Sequence, residues 1–134
     1  MTGLVLKLSP KERVLINGAV IENGDRRSRL NIVTPNVNIL RLRDAIHPDE
    51  ATTPVRRVCY AAQLVLTGDA SAEETRHQML RRIEELSQIL TDPDSRKLLA
   101  AATDGVLHDQ YYQCLKALRG LLPREDRLLN ARPN

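Results

Sequence analysis

The sequence predicts an α+β protein in which a small five-stranded antiparallel β-unit precedes a four-helix α region. Three observations carry that reading. Residues 4–42 alternate apolar and polar side chains, the period of a half-buried strand. Two Asn-Gly pairs, Asn17-Gly18 and Asn23-Gly24, punctuate that segment, and such pairs accept the positive φ angles of tight turns. Beyond residue 50 the apolar residues recur at three- and four-residue spacing behind N-cap residues, the pattern of amphipathic helices. The chain divides into a basic β-unit (1–43), a connector (44–52), a helical region (53–123) and a polar tail (124–134).

In the first strand Leu4, Leu6 and Leu8 share one face. Ser9-Pro10-Lys11-Glu12 is a turn and Arg13–Ile16 the second strand. Asn17-Gly18 supplies a type I′ hairpin turn into a third strand, Ala19–Glu22. After the Asn23-Gly24-Asp25 turn, Ser28–Val33 sets Leu30 and Ile32 against Arg29 and Asn31. Thr34-Pro35-Asn36 breaks that strand, and Val37–Leu42 is the fifth. Strands this short need a helix or a second subunit to cover them.

Thr53-Pro54 is an N-cap and first-turn proline. The helix it starts runs to about Thr67, where Gly68-Asp69 ends it. Ser71 and Glu74 form a capping box ahead of a stripe of Met79, Ile83, Leu86 and Leu90. Asp92-Pro93 stops that helix. Residues 94–106 form a third helix, and residues 109–122 a fourth through Tyr112, Leu115, Leu118 and Leu122. The tail from Arg124 is polar and expected to fray. Arg56-Arg57 oppose the dipole at their helix N-terminus, and Asp49 and Glu50 are their expected salt-bridge partners.

Within the 134 residues Phe and Trp are absent and tyrosines number three, so the core is aliphatic. No run is long and apolar enough for a membrane span. Met1–Leu8 has no extended apolar region, so no secretory signal is expected. Cys59 and Cys114 suit small buried positions in a reduced, cytoplasmic protein. His47, His77 and His108 lack metal-ligand spacing, and there is no nucleophile elbow or phosphate loop. Neither an enzyme nor a cofactor is expected.

The net charge is only +3, but residues 1–43 hold eight cations against three carboxylates. That is +5 there and −2 in the remainder, which hints at an anionic partner. Arginine forks suit phosphate and base edges. Arg26, Arg27 and Arg29 surround a turn, and Arg41 and Arg43 share one face of the last strand. The bland reading is a charged sheet edge that discourages aggregation. No aromatic residue interleaves with these arginines, so base stacking is not provided for within the segment.

The blocks INGAVIENGDRRSRL, TPVRRVCYAAQLVL and YYQCLKALRGLL together resemble the FlbT family of bacterial flagellin-synthesis regulators, from Leu4 to about Leu129. The resemblance implies a cytoplasmic post-transcriptional repressor of flagellum biogenesis. It would bind the 5′ untranslated region of flagellin mRNA and promote its degradation or block translation. LVLKLSPKERVLINGAVIE and TPNVNILRLRDAI are also similar to the CsrA family of small dimeric RNA regulators. That likeness implies an RNA surface of the first and last strands, with the family's leucine on Leu6 and its arginine on Arg43. The family's basic pair at the end of strand one falls here on Leu8-Ser9, which shifts the charge onto Arg41 and the Arg26–Arg29 turn. The candidate RNA-binding set is Leu6, Lys7, Arg26, Arg27, Arg29, Arg41 and Arg43.

Unpaired strand edges lead to the expectation of a homodimer joined through the β-unit. A second functional class stays open. The chain would be an adaptor whose helices bind a flagellin or a flagellar regulatory protein, acting on RNA only indirectly.

Overall fold

The computed structural model describes residues 4–131. Five antiparallel strands precede the helices, as expected: β1 (Leu4–Leu8), β2 (Arg13–Ile16), β3 (Ala19–Glu22), β4 (Ser28–Ile32) and β5 (Ile39–Arg41). They form two sheets. β1 pairs with β4, and β2 lies between β3 and β5. The Ser9–Glu12 turn therefore carries the chain from one sheet to the other.

The β2–β3 hairpin has the turn its sequence demands, with φ of 48° at Asn17 and 86° at Gly18. Asn17 also fastens the hairpin to the approach of β5. Its amide donates to the Asn38 carbonyl at 2.9 Å, and its Oδ1 accepts the Asn38 N–H at 3.1 Å. The two sheets meet around Leu6, Leu8, Val14 and Ile39, with Leu4, Ile16, Leu30, Ile32, Val37 and Tyr112 packed alongside. β5 is shorter than expected because Leu42–Asp44 coil into a 3₁₀ turn. Successive β5 residues serve different cores: Ile39 joins the β cluster and Leu40 the helical one.

Helices α1 (Pro54–Thr67), α2 (Ala72–Ser87), α3 (Pro93–Leu107), α4 (Tyr111–Arg119) and α5 (Leu122–Asn130) follow. The Thr53 hydroxyl accepts the Arg56 N–H at 3.2 Å, and Gly68, at φ 85°, closes α1. Ser71 accepts the Glu74 N–H at 3.4 Å. Met79, Ile83 and Leu86 of α2 are buried, as is Leu90 beyond its end at Ser87. Asp92-Pro93 begins α3 rather than simply ending α2, since Asp92 accepts the Ser95 N–H at 3.1 Å. Hydrogen bonding from Ser95 holds the Asp92 carboxyl below its ordinary range. α3 and α4 approach closely at Gly105, where a Cβ would lie 2.8 Å from the Cys114 Cβ and 2.9 Å from its backbone nitrogen. Cys59 and Cys114 are buried, unbridged thiols, each pushed up to about 12 by desolvation.

Two expectations for the C-terminal region need correction. The fourth helix does not run to residue 122; it ends at Arg119. Pro123 has no N–H to donate to a continuing helix but is accommodated in the first turn of α5. The expected frayed tail is helical as far as Asn130, and residues 132–134 lie outside the described residues. What orders α5 is Glu125, a carboxylate only 6% exposed. Its Oε2 accepts the Val55 N–H at 2.8 Å, and its Oε1 accepts the Thr53 hydroxyl. An anion thus sits on the open amides and positive dipole end of α1. Arg56 pairs with Asp126 at 3.2 Å, so its partners come from α5 and not from Asp49 or Glu50. Arg57 donates to the Thr52 carbonyl at 3.3 Å.

Candidate nucleic-acid interface

Alternation along β1 sends Leu6 and Leu8 inward and Lys7 outward. In the β1–β4 register Lys7 stands directly opposite Arg29. Like charges facing each other across antiparallel strands are unfavourable. Both side chains are exposed, and with Arg27 they flank a shallow cleft floored by Leu8, Ser9 and Ser28.

The loop that presents Arg26 and Arg27 is anchored by Asn23. Its Nδ2 donates to the Ser9 carbonyl at 2.7 Å and to the Arg26 carbonyl at 2.9 Å. Its Oδ1 accepts the Ser28 hydroxyl at 2.7 Å. The Lys11 N–H donates to the Gly24 carbonyl at 2.9 Å. The arginines therefore project from a fixed backbone, which lowers the entropy lost on gripping a ligand.

Arg41 and Arg43 converge on one carboxylate. Glu12 Oε2 lies 3.3 Å from Arg41 Nη1 and 3.7 Å from Arg43 Nε. The Glu12 side chain is 6% exposed and Arg41 11%, whereas Arg43 is 57% exposed. Arg41 also donates to the Lys7 carbonyl at 3.0 Å, tying the β5 end of one sheet to β1 of the other. The Ser9 N–H donates to Glu12 Oε1 at 3.0 Å.

The eight cations of the first 43 residues thus split evenly. Lys11 pairs with Asp25, Arg13 with Glu22, and Arg41 and Arg43 with Glu12. The hydrogen bond and charge of Arg13 hold the Glu22 carboxyl below its ordinary range. Among the described residues, Lys7, Arg26, Arg27 and Arg29 have no carboxylate within ion-pair distance. Of these four, Lys7, Arg27 and Arg29 line one cleft, where a negative group is electrostatically favoured; Arg26 and Arg43 are exposed outside its lining.

The fold separates the sequence-derived candidates. Leu6 is 1% exposed, so its side chain belongs to the core and is not available to a ligand. Arg41 is a brace between sheets before it is a contact surface. The residues that sequence reasoning missed are Glu12 and Asn23, which position the cations. Asn23 carried a turn signal, but nothing local marked Glu12 as the meeting point of two arginines from β5 and the turn after it.

Among the described residues, no group of three His, Cys, Asp or Glu side chains could hold a metal ion, and no helix is long and apolar enough to cross a membrane. A family model described as flagellar protein FlbT matches residues 4–129. A probable flagellum biosynthesis repressor protein FlbT of Caulobacter sp. (strain K31) is 33% identical over 126 residues, covering 94% of this chain and 95% of that one. The flagellum biosynthesis repressor protein FlbT of Caulobacter vibrioides (strain ATCC 19089 / CIP 103742 / CB 15) is 31% identical over 126 residues, covering 94% and 89%. A probable repressor of the same name from Bradyrhizobium diazoefficiens is 34% identical over 127 residues, covering 93% and 84%. No solved structure matches.

Proposed function

We propose, for a chain that belongs to the FlbT family of flagellar proteins, that it represses flagellum biosynthesis after transcription. It binds the 5′ untranslated region of flagellin mRNA in the cytoplasm and promotes degradation of the message or blocks its translation. Repression is what the relatives' names state. The observation that supports the RNA step is the unpaired set of Lys7, Arg26, Arg27 and Arg29, with Lys7 held opposite Arg29 against electrostatic preference. An anionic chain laid across that face relieves the repulsion.

The test is binding of pure protein to a flagellin leader RNA across a salt series. Phosphate contacts to single strands each contribute about 0.7 to the slope of log affinity against log salt. Replacing Lys7, Arg27 and Arg29 together by Gln should flatten that slope by about two and weaken binding severely. Arg43→Ala should weaken the leader more than an unrelated RNA, since base-edge contacts carry sequence information and phosphate contacts do not. Wild-type protein that binds no leader RNA at low salt would refute the RNA step.

The adaptor reading draws on another surface. Pro54, Val58, Leu86 and Ile89 form the apolar part of a groove between α1 and α2, which Arg57, Gln78, Arg81, Arg82 and Glu85 also line. Docking there should be nearly insensitive to salt if apolar contacts dominate. We also propose a homodimer through β3, whose four residues are all exposed and whose outer edge has no partner strand among the described residues. Light scattering that finds a monomer at micromolar concentration would remove the dimer.

A further inference from the structure

Single-stranded RNA is usually held by stacking its bases on aromatic rings, and the first 43 residues contain no aromatic side chain. The fold supplies one from elsewhere. Tyr112, on α4, packs against the β-unit's core and also lines a cleft of about 280 Å³ at the junction of β5 with the helices. Leu40 and Leu115 add apolar wall, Arg43, Lys116 and Arg119 add positive charge, and Asp44 adds one negative charge. Arg119 is committed to Asp44, at 3.5 Å to its carboxylate and 3.1 Å to its carbonyl. Lys116 is exposed and, among the described residues, has no carboxylate within ion-pair distance. Arg41 joins this cleft to the charged face, since it lines the cleft and its guanidinium reaches the Lys7 carbonyl.

We infer that this cleft receives one unstacked nucleotide of the bound RNA, its base against the Tyr112 ring and its phosphate on Lys116. The inference rests on the RNA reading above. A space of this size holds a base with its sugar and is too small for a helix. An aromatic wall beside an uncommitted ammonium group matches the two faces of a nucleotide.

The experiment irradiates the protein bound to flagellin leader RNA carrying 4-thiouridine and maps the cross-linked peptide. The expected cross-link is at Tyr112. Tyr112→Leu should lower leader affinity about tenfold with the salt slope unchanged, and Tyr112→Phe should restore it. Lys116→Ala should flatten the slope by about one phosphate contact. Tyr112 also packs on the core, so thermal unfolding is measured for each variant. Should Tyr112→Leu not fold, the cross-link and the exposed Lys116→Ala decide. If wild type binds RNA through Lys7, Arg27 and Arg29, but the cross-link lies elsewhere and Lys116→Ala binds as wild type does, the cleft is overturned and the RNA reading stands. If wild type binds no RNA at low salt, both fall.

Discussion

The helical body and the β-unit use charge in opposite ways. In the helical body, nineteen buried residues and Leu40 of β5 form one apolar cluster, and its buried carboxylate, Glu125, sits where a helix dipole and open amides favour it. The β-unit closes around four fully buried residues and displays Lys7 against Arg29, where charge is unfavourable. Charge that stabilises its surroundings is explained by folding. The Lys7–Arg29 pairing has no such account, and this contrast is the ground for proposing the β-unit as the working surface and the helices as its support.

The strongest way to break the contrast is to remove the helical body's buried anion. Glu125→Ala leaves the Val55 N–H without its partner and should lower unfolding free energy by about 3 kcal/mol in urea titration. A loss below about 1 kcal/mol would mean that α5 is an ornament on α1. Arg41→Ala comes next. It leaves Glu12 buried with only Arg43 nearby, and should destabilise by about 2 kcal/mol. If it weakens RNA binding while leaving stability unchanged, Arg41 is a contact residue after all.

A pH series probes the helical core. The folded Cys59 and Cys114 thiols are raised to about 12 from an ordinary 9.0, because burial disfavours the thiolate. The unfolded chain therefore releases protons first as pH rises. Stability should be fully present below pH 9 and fall progressively from 9 toward 12. A melting temperature flat across that window would contradict the buried thiols. The smallest effect sharpens the comparison most. Lys7→Gln should leave stability unchanged or raise it by a few tenths of a kcal/mol, while weakening leader RNA. A clear loss of stability would show that Lys7 is structural.

Local chemistry made much of this fold legible. Asn17-Gly18 announced its turn, Thr53-Pro54 its helix start, and the Met79–Leu90 stripe its buried face. Each depends on neighbours within a few residues. What stayed hidden depends on pairing across the chain. The β1–β4 pairing spans the hairpin between them, so two sheets could not be told from one. The polarity of residues 124–130 suggested fraying because Glu125 reads as solvated until Thr53 and Val55 are placed beside it. At the candidate interface the exposed arginines were legible, but their partition into paired and unpaired was not. Whether an arginine is neutralised depends on register, whereas Leu6 entered the candidate set through the family likeness and is buried by the alternation it shares with Leu8.

Glu125 also sets an order of events during synthesis. Val55, whose amide it caps, is made 70 residues earlier, so α1 leaves the ribosome with its first turn open. The Thr53 hydroxyl can serve the Arg56 amide meanwhile, but the Val55 amide has only water until α5 arrives. The helical body is therefore completed only once α5 has been translated, and a message cut short before codon 125 yields a chain in which the Val55 amide never gains its carboxylate.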